Sequence, residues 1–165
     1  MPTVVADASP LIFLAKVDQL DLVQRLLGGE VLVPRAVHDE LFGPSVSPVE
    51  ERRLSAFLER CKVVTVRRPR TFARSLSDAD NRVLTLALRM RADWILADDH
   101  LLRQVARMEG LAAIGTLGIL LRSAGRDLIT AEQARRIIDT LIQKHGVRVS
   151  IEVYRQVAEA LTALS

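Results

Sequence analysis

The chain has 165 residues, 49% of them hydrophobic, and a net charge of only +3, which suits one compact domain with a sizeable core and excludes a disordered polypeptide. Its apolar stretches are short and broken by charges, so no membrane span and no signal peptide is expected and a cytoplasmic location is the natural reading. The lone Cys61 has no partner for an internal disulfide, His38, His100 and His145 lack zinc-ligand spacing, and the 4% aromatic content gives no platform for stacked bases.

Residues 3–6 read as a strand, followed by helical patterning through Pro10–Ala15 and again from Leu20 to Leu27, where Gly28-Gly29 stops it. Glu30–Val33 is a second strand, and Pro34 opens a helix carrying Val37, Glu40 and Leu41 that Gly43-Pro44 ends. Ser47 and Glu50 have capping-box spacing for a helix to about Arg60, and Val63–Val66 makes the third strand. Ser77-Asp78-Ala79-Asp80 begins a strongly patterned helix with Val83, Leu84, Leu86, Ala87 and Met90 on its apolar side. A fourth strand at Trp94–Ala97, a helix over Asp99–Met108, a short strand at Ala112–Ile114 and a helix from Thr116 to Ser123 follow. After Gly125, Thr130 and Gln133 cap a helix to about Lys144, and residues 150–164 form a last amphipathic helix. Alternating strands and helices of these lengths predict a three-layer α/β/α fold with a central parallel sheet of about five strands, in one domain over 1–165: a core to about residue 124 and a helical extension over about 126–165. The extension's apolar positions Ile137, Ile138, Leu141, Ile142, Val153, Val157 and Leu161 either pack on the domain or receive a partner.

Four acids stand where strand runs give way to turns or helices: Asp7, Glu40, Asp80 and Asp98. In an open α/β sheet the crevice outside the carboxyl ends of the strands is where ligands bind, so distant acids can meet there. Clustered carboxylates repel one another, and a hard divalent cation with oxygen ligands offsets that repulsion. Each acid also has a local explanation. With Ser9 capping the next helix the Asp7 carboxylate can face the crevice, and its local alternative is an Asx-turn or helix cap; Asp80 mimics the last residue of a capping box begun at Ser77. Asp78 reads as electrostatic support in the same first turn, and Asp98 with Asp99 divides into one ligand and one cap. Glu40 lies at the border of its helix's apolar stripe, while Asp39 faces further outward. Arg67, Arg68, Arg70 and Arg74 crowd the segment before Ser77 and either bind phosphates or merely solvate a loop.

The segments Val5-Ala6-Asp7-Ala8-Ser9-Pro10-Leu11-Ile12, Val33-Pro34-Arg35-Ala36-Val37-His38-Asp39-Glu40-Leu41, Asp80 with Ala87, and Ile95-Leu96-Ala97-Asp98-Asp99 together resemble the PIN-domain nucleases, and specifically the VapC-like toxin branch of toxin–antitoxin pairs. Ile114-Gly115-Thr116-Leu117-Gly118-Ile119-Leu120 resembles a subgroup of PIN-like proteins. The resemblance implies an acidic pocket in which Asp7, Glu40, Asp80 and Asp98 hold Mg²⁺ or Mn²⁺, an RNA substrate, a homodimer and a cognate antitoxin that covers the pocket. Asp7 and Asp98 are then the principal ligands, Asp80 a direct or water-mediated one, and Glu40 a ligand or the group that orients the attacking water, with the arginines at 67–74 on the RNA backbone. Many members carry Ser or Thr just before the last acid, where this chain has Leu96-Ala97, so the supporting hydroxyl is either absent or supplied by Ser9. That departure keeps a non-catalytic PIN-like binder of RNA or protein as the alternative. A phosphoacceptor receiver domain is disfavoured because the third strand runs into Arg67, and an aspartyl phosphatase because Ser9 stands where its second Asp belongs.

Overall fold

The computed structural model describes residues 1–165. Five strands, β1 (Thr3–Ala6), β2 (Glu30–Pro34), β3 (Lys62–Val64), β4 (Trp94–Leu96) and β5 (Ala113–Ile114), pair in parallel in the order β3-β2-β1-β4-β5. The helices are α1 (Ala8–Lys16), α2 (Asp21–Leu27), α3 (Arg35–Glu40), α4 (Pro48–Leu58), α5 (Asp78–Arg89), α6 (His100–Met108), α7 (Thr116–Gly125), α8 (Ala131–His145) and α9 (Ile151–Ala163). Strands β1, β2 and β4 are apolar almost throughout because both faces of a parallel sheet are covered. Helix α5 lies across β1, β2 and β4, and α6 lies against β5; α1, α2, α4, α7 and α8 pack with one another as the other layer. The fold is the three-layer α/β/α arrangement that the alternation predicts.

The chain builds outward from β1 through β2 to β3, then returns through α5 to place β4 on the opposite side of β1. Adjacent βα connections therefore diverge at β1, which opens a crevice between the carboxyl ends of β1 and β4. Pairing of Ala6 with Leu96 brings the two strand ends level, and the Asp7 N–H donates to the Leu96 carbonyl at 2.9 Å.

Several expected boundaries move by a few residues, each for a local reason. Pro34 completes β2 in register with Val64 instead of opening the next helix, and α3 ends at Glu40, ahead of Gly43-Pro44. The third strand is Lys62–Val64, not Val63–Val66: it is an edge strand, and the Val66 carbonyl accepts from the Arg82 guanidinium instead of joining the ladder. Gly125 lies inside the end of α7, and the reversal falls at Asp127, in the left-handed region at φ 59°. The capping boxes Ser47/Glu50, Ser77/Asp80 and Thr130/Gln133 all form. In the C-terminal extension Ile138, Leu141, Val157 and Leu161 are buried in the same apolar cluster that contains Val4 and Leu96, and α8 and α9 both pack on α7.

Candidate active site

Asp7 is the first residue past β1 and occupies the cap position of α1, yet its carboxylate makes no capping hydrogen bond. The cap explanation for this residue therefore fails. Its side chain is sunk to 7% exposure, and burial pushes its carboxyl from 3.8 up to about 7. The nearby Ala8 amide pulls the value back down, while the charges of Asp80, Glu40 and Asp98 each push it further up. Four acids from four separate segments thus share one field, and Asp7 and Asp98 lie on the same side of the molecule.

Asp80 reaches this position because Ser77 starts α5 there. The Ser77 Oγ accepts the Asp80 N–H at 3.1 Å, and Asp80 Oδ2 accepts the Ser77 N–H at 3.2 Å. The capping box forms, and the Asp80 charge still acts on Asp7 and Glu40. Asp78 lies exposed in the same turn, where its carboxylate accepts from Arg82 Nε at 2.7 Å. Glu40, at the end of α3, is held above its ordinary value by partial burial and by the Asp80 charge; because the residue is exposed, that charge is what ties it to the site.

Asp98 follows β4 by two residues, and Asp99 caps α6 by accepting the Leu102 N–H at 2.8 Å. Both oxygens of Asp98 are held by Thr116, whose N–H donates to Oδ1 at 2.7 Å and whose hydroxyl donates to Oδ2 at 2.8 Å. The hydroxyl on this acid is therefore neither absent nor supplied by Ser9, which is exposed in the first turn of α1. The signal for Thr116 lies in the Gly115-Thr116 step after an apolar pair, where a fifth strand hands over to a helix. Gly115 is required for space: a Cβ there would lie 2.7 Å from both Asp98 Oδ1 and an Arg103 Nη, and 3.1 Å from the Ala97 carbonyl oxygen.

The four arginines of the 67–74 segment are not gathered around the acids. Their loop is laced along α5: Arg89 donates to the carbonyls of Arg67 and Arg68 at 2.7 and 2.9 Å, the Arg70 N–H donates to Thr85 Oγ1, and the Phe72 N–H to Asn81 Oδ1. Arg89 is nine residues past Asp80, or about 13 Å of helix. The Arg70 guanidinium stacks 4.7 Å from the Phe72 ring and pairs with Glu109 at 3.7 Å. Arg74, exposed three residues before Ser77, stands nearest to the acids along the chain.

As the side chains stand, no three acids, histidines or cysteines converge tightly enough to enclose an ion. Mg²⁺ rarely asks for such a cage, keeping several waters and using one or two carboxylates. A buried carboxylate free of capping bonds, with the charges of three other acids acting on it, has the donor chemistry such an ion takes.

Acids beside the switch point of a five-stranded parallel α/β/α sheet are what a PIN-like fold presents. The chain belongs to the PIN-domain family, whose profile matches residues 3–163. A domain of a functionally unknown protein from Methanocaldococcus jannaschii DSM 2661 is similar in structure, with a TM-score of 0.50 at 18% identity over 70% of this chain and 91% of that one, a likeness that speaks for the fold alone. No curated protein matches the sequence significantly. PIN domains are generally nucleases, so the family supports a nuclease-type function acting on nucleic acid. No helix is long and apolar enough to cross a membrane.

Proposed function

We propose that the protein is a Mg²⁺- or Mn²⁺-dependent endoribonuclease that hydrolyses RNA phosphodiester bonds, and that it is the VapC-like toxin of a type II toxin–antitoxin pair acting in the cytoplasm. The observation that carries the catalytic reading is Asp7: a carboxylate buried without a capping bond, in the field of Glu40, Asp80 and Asp98, is costly for the fold and is offset by a cation bound there. Asp7 and Asp98 hold the ion, and Asp80 does so directly or through water. When bound, the ion supplies charge neutralisation at the phosphate and a lowered pKa for the attacking water. Thr116 fixes the rotamer of Asp98, so that this ligand is presented without conformational search. Glu40, at the exposed rim, is a further ligand or the group that orients the attacking water. The arginine loop meets RNA phosphates well removed from the cut, with Arg74 the nearest of its four.

The toxin assignment, the homodimer and the antitoxin that covers the pocket rest on the residue pattern around Asp7, Glu40 and Asp98. The alternative is a PIN-like regulator that binds RNA or protein without cutting, a reading favoured by the loose spacing of the acids and weakened by the Thr116 hydroxyl. Cleavage of RNA with and without Mn²⁺ by the wild type and by Asp7→Asn decides between them. Activity that needs the ion and is lost in the variant supports the nuclease; equal activity in both proteins overturns it, and calorimetry showing no divalent-ion binding by the folded protein favours the regulator. For the toxin role, growth arrest on expression, relieved by co-expression of a small DNA-binding protein encoded next to this gene, is the expected result.

A further inference from the structure

A cleft of about 360 Å³ opens directly beside Asp98, walled by Phe13, Arg103, Thr116, Leu117, Arg148 and Val153. It draws on α1, α6, α7 and the turn between α8 and α9, so the C-terminal extension supplies one side of it. The volume lies within the range of small-ligand sites. We propose that this cleft is a nucleotide subsite, in which Arg103 and Arg148 hold the phosphate adjoining the one that is cut while Phe13, Leu117 and Val153 receive the attached sugar and base. The inference rests on the nuclease reading and adds to it the binding of the flanking nucleotide.

Arg103 carries the argument. It lies one turn into α6 from the cap Asp99, to whose carbonyl its N–H donates at 3.0 Å, and side chains on a helix lean toward its N-terminus, here the carboxyl edge of the sheet. The missing Cβ at Gly115 lets its guanidinium pass close to Asp98. Yet both Asp98 oxygens are already engaged by Thr116, and Arg103 Nε is buried with no acceptor at all. A donor on a cation left buried and unpaired is costly, and the residue that carries it lines an open cleft. The acceptor whose geometry fits a guanidinium fork is a phosphate or a carboxylate, and of the two the phosphate is the group that a nuclease substrate carries on either side of the bond to be cut.

Arg148 completes the cradle from the other side. The left-handed Gly146, at φ +70°, ends α8 and turns the chain so that residues 147–150 border the cleft before Ser150 caps α9. Arg148 is exposed there, which leaves its guanidinium open to a ligand. The physical need is plain: RNA phosphates are repelled by Asp7, Glu40, Asp80 and Asp98, and cations immediately beside those acids counter that repulsion on the path to the scissile bond. The apolar wall gives the sugar and base a place to shed water.

The test is fluorescence anisotropy of a labelled single-stranded RNA 12-mer in excess EDTA, which prevents cleavage, together with calorimetric titration of AMP and adenosine. Wild type, Arg103→Gln, Arg148→Gln and a control, Arg52→Gln on the exposed side of α4, are compared. Expected is about tenfold weaker RNA binding for each cleft variant, with the slope of log affinity against log salt reduced by about one, and no change for the control. AMP is expected to bind the wild type more tightly than adenosine, and to lose that advantage in Arg148→Gln. Wild-type RNA affinity and salt slope in the Arg148 variant, or equal affinity for AMP and adenosine, overturns the proposal. Because Arg148 is exposed on a turn, its variant decides the matter even where Arg103→Gln fails to fold. Cleavage by a wild type whose cleft variants bind and cut normally removes the subsite and leaves the nuclease; weakened RNA binding in the variants of a protein that cuts nothing supports the subsite and removes the nuclease.

Discussion

Thr116 grips Asp98 with both of its donors, the backbone N–H on Oδ1 at 2.7 Å and the hydroxyl on Oδ2 at 2.8 Å. One residue at the start of α7 thereby sets the orientation of an acid at the end of β4, across the join between two neighbouring strands. Partners of this kind typically matter by about 10–100-fold in metal affinity or activity. Thr116→Val, which keeps the shape and the backbone donor, is expected to weaken Mn²⁺ binding and RNA cleavage within that range, and Thr116→Ser to restore most of it. Calorimetry and initial cleavage rates would reveal a merely structural threonine if Val and Ser behaved alike.

Asp7 ties stability to pH. Its folded value is raised to about 7 from 3.8, so the folded state holds the proton more tightly than the unfolded chain. That contribution is complete below about pH 4 and is lost as the pH climbs through about 7; across the interval it amounts to something on the order of 4 kcal/mol. Urea unfolding of the metal-free protein should therefore show the wild type losing stability between pH 5 and 8 relative to Asp7→Asn. Mn²⁺ should protect the wild type more strongly at pH 8 than at pH 5, since the ligand must be deprotonated. Parallel pH profiles for the two proteins would contradict the assignment of burial as the main cause.

Asp78 and Asp80 differ in their surroundings. Asp78 faces outward against Arg82, an exposed i,i+4 pair of the sort that contributes about 0.5 kcal/mol or less. Asp80 acts on both Asp7 and Glu40. Asp80→Asn, which retains the capping geometry, is expected to reduce cleavage by about 100-fold, and Asp78→Asn to leave it within about twofold. The reverse ranking, in matched kinetic assays, would transfer the site role to Asp78.

Gly115→Ala separates stability from function. The added carbon meets two side-chain ends at 2.7 Å, and of these Arg103 can swing away while Asp98 is pinned by Thr116. The melting temperature should fall by an amount equivalent to about 1–2 kcal/mol, while Mn²⁺ affinity falls at least tenfold through the displaced carboxylate. A variant that melts early but binds Mn²⁺ normally would show that Asp98 tolerates the shift.

The sequence by itself determined what acts within a few residues. Strand and helix periods, the three capping boxes and the placing of Asp7 and Asp98 after apolar runs depend only on neighbours along the chain, so the order of residues suffices to reveal them. The edge strand Lys62–Val64 and the course of the arginine loop are not legible in that way, because Arg82 and Arg89 draw that segment down α5 from 16 or more residues away. Tertiary structure alone decided that β4 lies beside β1, that the hydroxyl on Asp98 comes from Thr116, 18 residues on, and that Arg103 Nε is buried without a partner. Those facts follow from which apolar faces bury one another and from where the crossovers land, and no local pattern encodes them.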